Sequence, residues 1–209
     1  MAVRPAPVDG DAVLWSAPPE HRPGRPLILL MHGYGGVERD LDAVVDRLPA
    51  PLVAASLRGS LPVRDRWGWL DADHHGAGQA NVSARAILDW LDGHPGFPSV
   101  GLLGFSQGGA MVMQLLRLAP QRFAYGVQLS GFVVEPWRHR GDAELSARRP
   151  PFFSGHGDLD DVIPRSVAAS TSRWLHAHTT LTERRYAGVS HEVSAAMQLD
   201  ALEFIRAHA

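Results

Sequence analysis

Apolar residues in this chain fall into short unbroken runs, separated by stretches in which they recur every three or four positions. Leu27-Ile28-Leu29-Leu30-Met31, Leu52-Val53-Ala54-Ala55, Val100 to Phe105 and Phe123 to Leu129 are unbroken or nearly so. Runs of that length without polar alternation suit strands buried on both faces, as in a parallel sheet. Pro151-Phe152-Phe153 opens a further strand, Leu181 to Tyr186 reads as a more polar edge strand, and Ala12 to Trp15 as a first edge strand.

Between these runs the period changes. Leu41, Val44, Val45 and Leu48 stand at i, i+3, i+4 and i+7, one stripe of an amphipathic helix. Ala80, Ala84, Ile87, Leu88 and Leu91 make a second stripe, and Val193, Ala196, Met197, Ala201, Phe204 and Ile205 a last one. Ala110 to Met113 with Leu115 and Leu116 are apolar almost all round, which predicts a helix buried on most sides. A further helix is expected from about Arg165 to His178. Strands alternating with helices in this order predict a mostly parallel central sheet covered by helices on both faces. Arg58 to Gly76 reads as irregular chain lying over the strand ends. Phe132 to Pro150, polar and rich in arginine, is long enough for a small flap but too short for a separate cap domain.

Composition narrows the class without naming a function. The 209 residues fit one domain spanning 1–209, and 45% hydrophobic with 20% charged residues is the balance of an ordinary globular protein. A formal net charge of -2 offers no electrostatic reason to bind nucleic acid. The absence of cysteine excludes disulfides, thiolate metal sites and a cysteine nucleophile. No apolar run approaches the roughly 18 residues of a membrane span, and the first residues lack the apolar centre of a secretory leader, so no stable membrane insertion and a cytoplasmic location are expected.

Candidate chemistry gathers where the predicted strands end. Gly104-Phe105-Ser106-Gln107-Gly108 is a G-x-S-x-G string between an apolar strand and an apolar helix, the context in which a serine sits on a sharp turn with its hydroxyl lifted clear of the backbone. The helix starting at Gln107 directs its positive dipole end toward that hydroxyl, as suits a developing oxyanion. A serine hydroxyl needs a neighbouring base, itself oriented by a third group. In the order nucleophile, acid, histidine, the later candidates are an aspartate among Asp158, Asp160 and Asp161, and then His191. Periodicity does not separate the three aspartates; Asp160 is the preferred one.

Two backbone N–H groups are expected to form an oxyanion hole, one from Gln107 and one from Tyr34 in the loop His32-Gly33-Tyr34-Gly35-Gly36. Trp67, Trp69, Phe132 and Trp137 are candidates to line a substrate pocket. His74 and His75 adjoin Asp71 and Asp73, but nothing there has the helical His spacing of a metal site, and no metal or cofactor is expected.

These motifs resemble the small carboxylesterase/phospholipase family of α/β-hydrolases, the group that includes acyl-protein thioesterases. The likeness rests on His32-Gly33-Tyr34-Gly35, Gly104-Phe105-Ser106-Gln107-Gly108-Gly109, Leu129-Ser130-Gly131, the segment His156 to Pro164, and Ser190-His191. It covers Leu27 to the C-terminus and implies an α/β-hydrolase fold with Ser106 as nucleophile, Asp160 as acid and His191 as base. Two departures stand out. The family aspartate is usually followed by proline where this chain has Asp161, and its usual Trp-Phe-Asp appears here as Trp69-Leu70-Asp71.

The expectation is a cofactor-independent serine esterase acting on small to medium acyl esters, its partner a small-molecule substrate. Hydrolysis of acyl-protein or acyl-CoA thioesters, or of lysophospholipids, is the alternative within enzymes. A ligand-binding protein on a hydrolase fold that has lost catalysis is the alternative from another class. The oligomeric state is open, a homodimer included.

Overall fold

The computed structural model describes residues 6–71, 77–135 and 139–209. Seven strands form the central sheet: β1 (Leu14–Trp15), β2 (Leu27–Met31), β3 (Val53–Leu57), β6 (Val100–Phe105), β7 (Tyr125–Leu129), β8 (Pro151–Gly157) and β9 (Thr180–Tyr186). A small separate hairpin supplies β4 (Leu61–Val63) and β5 (Arg66–Gly68). The sheet order is β1-β3-β2-β6-β7-β8-β9; β1 is antiparallel to β3 and every other pair is parallel.

The unbroken apolar runs sit where such runs belong. β2 and β7 are buried at every position, because helices cover both faces of the sheet. Leu27, Leu29 and Met31 face one layer, packed with residues of α2 (Ala77–Asp92), α3 (Gln107–Leu118) and α5 (Arg165–His178). Ile28 and Leu30 face the other, packed with α1 (Asp42–Val45) and α6 (Ala195–His208). The register aligns the carboxyl ends: Met31 lies opposite Gly104, Phe105 opposite Leu129, Leu129 opposite Gly155, and Gly157 opposite Tyr186. Loops leaving β2, β6, β7, β8 and β9 therefore emerge at one edge, where ligands meet open α/β sheets.

Four local expectations are revised. The helix expected from Leu41 to Leu48 keeps only Asp42–Val45, since its last bonds, Arg47 N–H to Val44 O and Leu48 N–H to Val45 O, tighten to i→i+3 ahead of Pro49. Part of the stretch read as irregular, Arg58 to Gly76, is the β4–β5 hairpin; its turn puts Arg64 at φ 56, so no glycine or asparagine announces it. The stripe on α6 includes Leu202 and omits Ala196, which is exposed, because Ser194 caps the helix through Met197 N–H and fixes which side faces the sheet. The segment between β7 and β8 holds, among the described residues, one short helix, α4 (Asp142–Arg148), and its start at Phe132-Val133-Val134 is buried in the core rather than polar.

That segment is fastened by Arg117, a buried guanidinium near the end of α3. Its Nε donates to Asp142 Oδ1 at 2.8 Å, and its terminal nitrogens donate to the carbonyls of Val134 and Glu135. Removing the carboxylate leaves a buried cation without a counter-charge from Asp142, held by two carbonyls and the face of Trp174 at 4.6 Å. Asp142→Ala is expected to cost about 3 kcal/mol, read as a lowered urea midpoint with an unchanged slope. No helix among the described residues is long and apolar enough to cross a membrane.

Candidate active site

Ser106 occupies the junction between β6 and α3, with φ 53 and ψ -117, a conformation that side-chain-bearing residues seldom adopt. Neighbouring glycines make the turn sterically feasible. A Cβ on Gly104 would run into the carbonyl of Gly108, and one on Gly108 into the carbonyl of Met31 at the end of β2. The first turn of α3 therefore packs backbone to backbone on the sheet. Gly104→Ala is expected to destabilise the protein by about 3 kcal/mol, seen as a lower thermal midpoint, because neither colliding backbone can move alone.

His191 follows β9 and Asp160 follows β8. Their loops meet because Gly157 lets the backbone of Val189 and Ser190 approach closely; a Cβ there would strike both carbonyls. His191 Nε2 lies 2.9 Å from Ser106 Oγ, and His191 Nδ1 lies 2.8 Å from Asp160 Oδ2. The imidazole also packs against Phe105, centroid to centroid 5.0 Å. With a carboxylate at Nδ1, that nitrogen carries the proton, which leaves Nε2 able to accept from the serine hydroxyl.

The backbone separates the three aspartates that spacing leaves open. Asp160 Oδ1 accepts from Val162 N–H at 3.0 Å and Ile163 N–H at 2.9 Å, so its other oxygen is aimed at His191. Asp158 Oδ1 instead accepts from Gly188 N–H at 2.7 Å and ties the two loops together, while Asp161 is exposed. Burial alone would raise the Asp160 pKa; the hydrogen bonds from His191, Ile163 and Val162 outweigh it and hold the carboxyl below its ordinary value.

A second imidazole reaches the same carboxylate. His156 Nε2 stands 3.1 Å from Asp160 Oδ2, on a ring that is 5% exposed and whose pKa burial pushes down. The sequence shows only that His156 stands four residues before Asp160, a spacing that does not distinguish it from a core residue.

The loop after β2 lies against the elbow: a Cβ on Gly33 would come within 3.4 Å of Ser106 Cβ. The loop that carries Tyr34 thus lies beside the serine at the start of α3. Tyr34 is partly exposed, whereas Gln107 is wholly enclosed. The aromatic candidates are distributed otherwise. Trp69 is 0% exposed and Phe132 5%, both within the core layer that includes α2 and α3. Trp67 is half-buried on β5, its N–H bonded to Gly36 O at 3.1 Å and its ring 5.2 Å from the Arg58 guanidinium. Trp137 lies outside the described residues, as do Asp73, His74 and His75. A separate cleft of about 560 Å³ is bounded by Asn81, Arg85, Gln114, Arg117, His139 and Glu144, and none of Ser106, Asp160 and His191 lines it.

A strand-serine-helix junction at the centre of a parallel sheet, with histidine and aspartate from later strand ends in contact with it, defines an α/β-hydrolase architecture. Residues 97–209 match the phospholipase/carboxylesterase family, and the chain belongs to that family. Acyl-protein thioesterase 1 of Eremothecium gossypii is 33% identical over 110 residues, covering 50% of this chain and 46% of the relative. The same-named protein of Kluyveromyces lactis is 27% identical over 106 residues, covering 49% and 46%. The chain thus spans about half the length of these curated relatives. Among solved structures, that of esterase PE8 superposes with a TM-score of 0.77 at 22% identity, covering 98% of this chain and 100% of the other. The Bacillus cereus carboxylesterase gives 0.78 at 16% identity, covering 93% of each. At those identities the superpositions bear on the fold, and they agree with the mostly parallel sheet and two helical layers.

Proposed function

We propose that this chain is a serine hydrolase of carboxylic esters that works through a covalent acyl-enzyme. The observation that carries the reading is the unbroken contact from Ser106 Oγ to His191 Nε2 at 2.9 Å and from His191 Nδ1 to Asp160 Oδ2 at 2.8 Å. His191 takes the proton of Ser106 as Oγ attacks the ester carbonyl, and Asp160 holds the imidazole in the tautomer that can do so. The oxyanion is received by the N–H groups of Tyr34 and Gln107. On collapse the alcohol leaves with the proton held by His191. Water then gives a proton to the same nitrogen, its hydroxyl attacks the acyl carbon, and the carboxylic acid leaves Ser106 restored. No cofactor takes part in this sequence.

The substrates are proposed to be small to medium acyl esters met in the cytoplasm. Thioester hydrolysis is the second reading, favoured by the name of the curated relatives, acyl-protein thioesterase 1. A p-nitrophenyl ester series from acetyl to long acyl chains, run beside matched thioesters, tests both. Turnover that peaks at short to medium chains and exceeds that of the matched thioesters supports the ester reading. Faster thioester turnover selects the second reading, and no turnover of either kind refutes the proposed activity.

A further inference from the structure

The two N–H groups proposed to hold the oxyanion come from segments with no covalent proximity: Tyr34 from a loop containing Gly33, Gly35 and Gly36, and Gln107 from the start of α3. A loop so rich in glycine has many conformations open to it, and Gly35 adopts φ 68. Something has to fix its height above the elbow.

The structure supplies a continuous connection that is buried from Gln107 through Trp69 to His32. The Gln107 side chain grips three consecutive residues of another segment: its Oε1 accepts from Trp69 N–H at 2.9 Å and Leu70 N–H at 3.2 Å, and its Nε2 donates to Leu70 O at 3.0 Å and Asp71 O at 3.3 Å. Trp69 passes the connection on, its indole Nε1 donating to His32 O at 2.9 Å. Its carbonyl in turn accepts from Ser83 Oγ at 2.8 Å, so the residue is held from three directions. His32 completes the clamp. Its ring lies 5.3 Å from the Trp69 ring, its Nε2 accepts from Gly59 N–H at 3.0 Å, and its Nδ1 contacts Gly33 O at 2.7 Å. Gly59 N–H requires Nε2 to be unprotonated, which assigns the proton to Nδ1 and makes it the donor to Gly33 O.

We infer that Trp69 is a positioning residue for the oxyanion hole: through its indole N–H it sets the loop bearing Tyr34 against the elbow bearing Gln107. The assignment rests on the proposed esterase mechanism. It gives this fully enclosed tryptophan a role other than lining a substrate pocket, and it explains why Gln107 follows the serine: the backbone of Gln107 serves the oxyanion while its side chain anchors the bridge to the opposite donor. Donors must stand within about 2.7–3.1 Å of the oxyanion, so a small shift of the loop weakens binding of the transition state more than that of the substrate.

Trp69→Phe keeps an aromatic ring in the core but removes the donor to His32 O together with part of the buried ring volume, so its unfolding midpoint is read beside its kinetics. The expected result is kcat lower by about 10-fold, KM within about twofold, and a trifluoromethyl ketone, whose serine adduct carries the oxyanion, inhibiting about 10-fold less well. Gln107→Glu retains the acceptor but loses both donations to Leu70 and Asp71, and the same pattern of lower kcat with unchanged KM is expected. A lower unfolding midpoint in Trp69→Phe with wild-type kcat and wild-type ketone inhibition would show that Trp69 only packs, and would overturn the assignment. So would KM and the ketone inhibition constant rising together, the mark of a pocket residue. Absence of Ser106-dependent turnover in the wild-type protein would instead bring down the esterase reading, and this assignment with it.

Discussion

Ser106→Ala is expected to lower kcat on the order of 10⁶-fold while the protein stays folded. The lost atom is the attacking one, and it contacts His191 Nε2 at 2.9 Å. The backbone at this position stands at φ 53, and the close packing around Gly104 and Gly108 is expected to hold it there in the variants. Ser106→Gly should therefore be the more stable of the two inactive variants, by about 1 kcal/mol, because glycine relieves the strain that serine and alanine share. Thermal midpoints of the pair measure that difference, and equal midpoints would mean that the elbow is unstrained.

Asp160→Asn carries the second large effect, a fall of about 10⁴-fold in kcat. Asparagine can still accept from Val162 and Ile163 N–H through its carbonyl oxygen, so the loop after β8 keeps its shape. Its amide then presents donors to His191 Nδ1. The imidazole is forced to carry its proton on Nε2, facing Ser106, and can no longer receive one from the serine. The same substitution has a signature in stability. The carboxyl pKa is lower in the folded protein than in the unfolded chain, so ionised Asp160 contributes stability above the unfolded value, and that contribution is lost as pH falls through the folded value. The wild-type unfolding midpoint should decline as pH drops below about 4, and the Asn variant should decline less over the same range. Parallel acid profiles for the two proteins would contradict the account of Asp160.

The architecture was legible because helices on both faces of a parallel sheet demand strands without polar positions, and Leu27–Met31 and Val100–Phe105 satisfy that demand in the sequence itself. Glycine signals were equally readable: the close approach of α3 to the sheet needs Gly104 and Gly108, and both appear in the string around Ser106. Other features depend on contacts that no local pattern encodes. Asp158, Asp160 and Asp161 are chemically equivalent along the chain and differ only in which backbone N–H groups fold toward them. The hairpin at Leu61–Gly68 turns through an arginine at positive φ, which left it without a turn signal. Trp69 reads in the sequence as a candidate to line a pocket, because its bonds to His32 and Gln107 come from segments 37 and 38 positions away. His156 opens a segment that carries the family likeness, but its contact with Asp160 is not readable there, since it arises only when the loop after β8 folds back.

The most direct measurement is the mass of the protein after reaction with a fluorophosphonate, followed by mapping of the modified peptide. The account predicts one adduct, on Ser106, formed by the wild-type protein and absent from Ser106→Ala. No adduct on the wild type, or an adduct that persists in Ser106→Ala, would contradict the claim that Ser106 is an activated nucleophile.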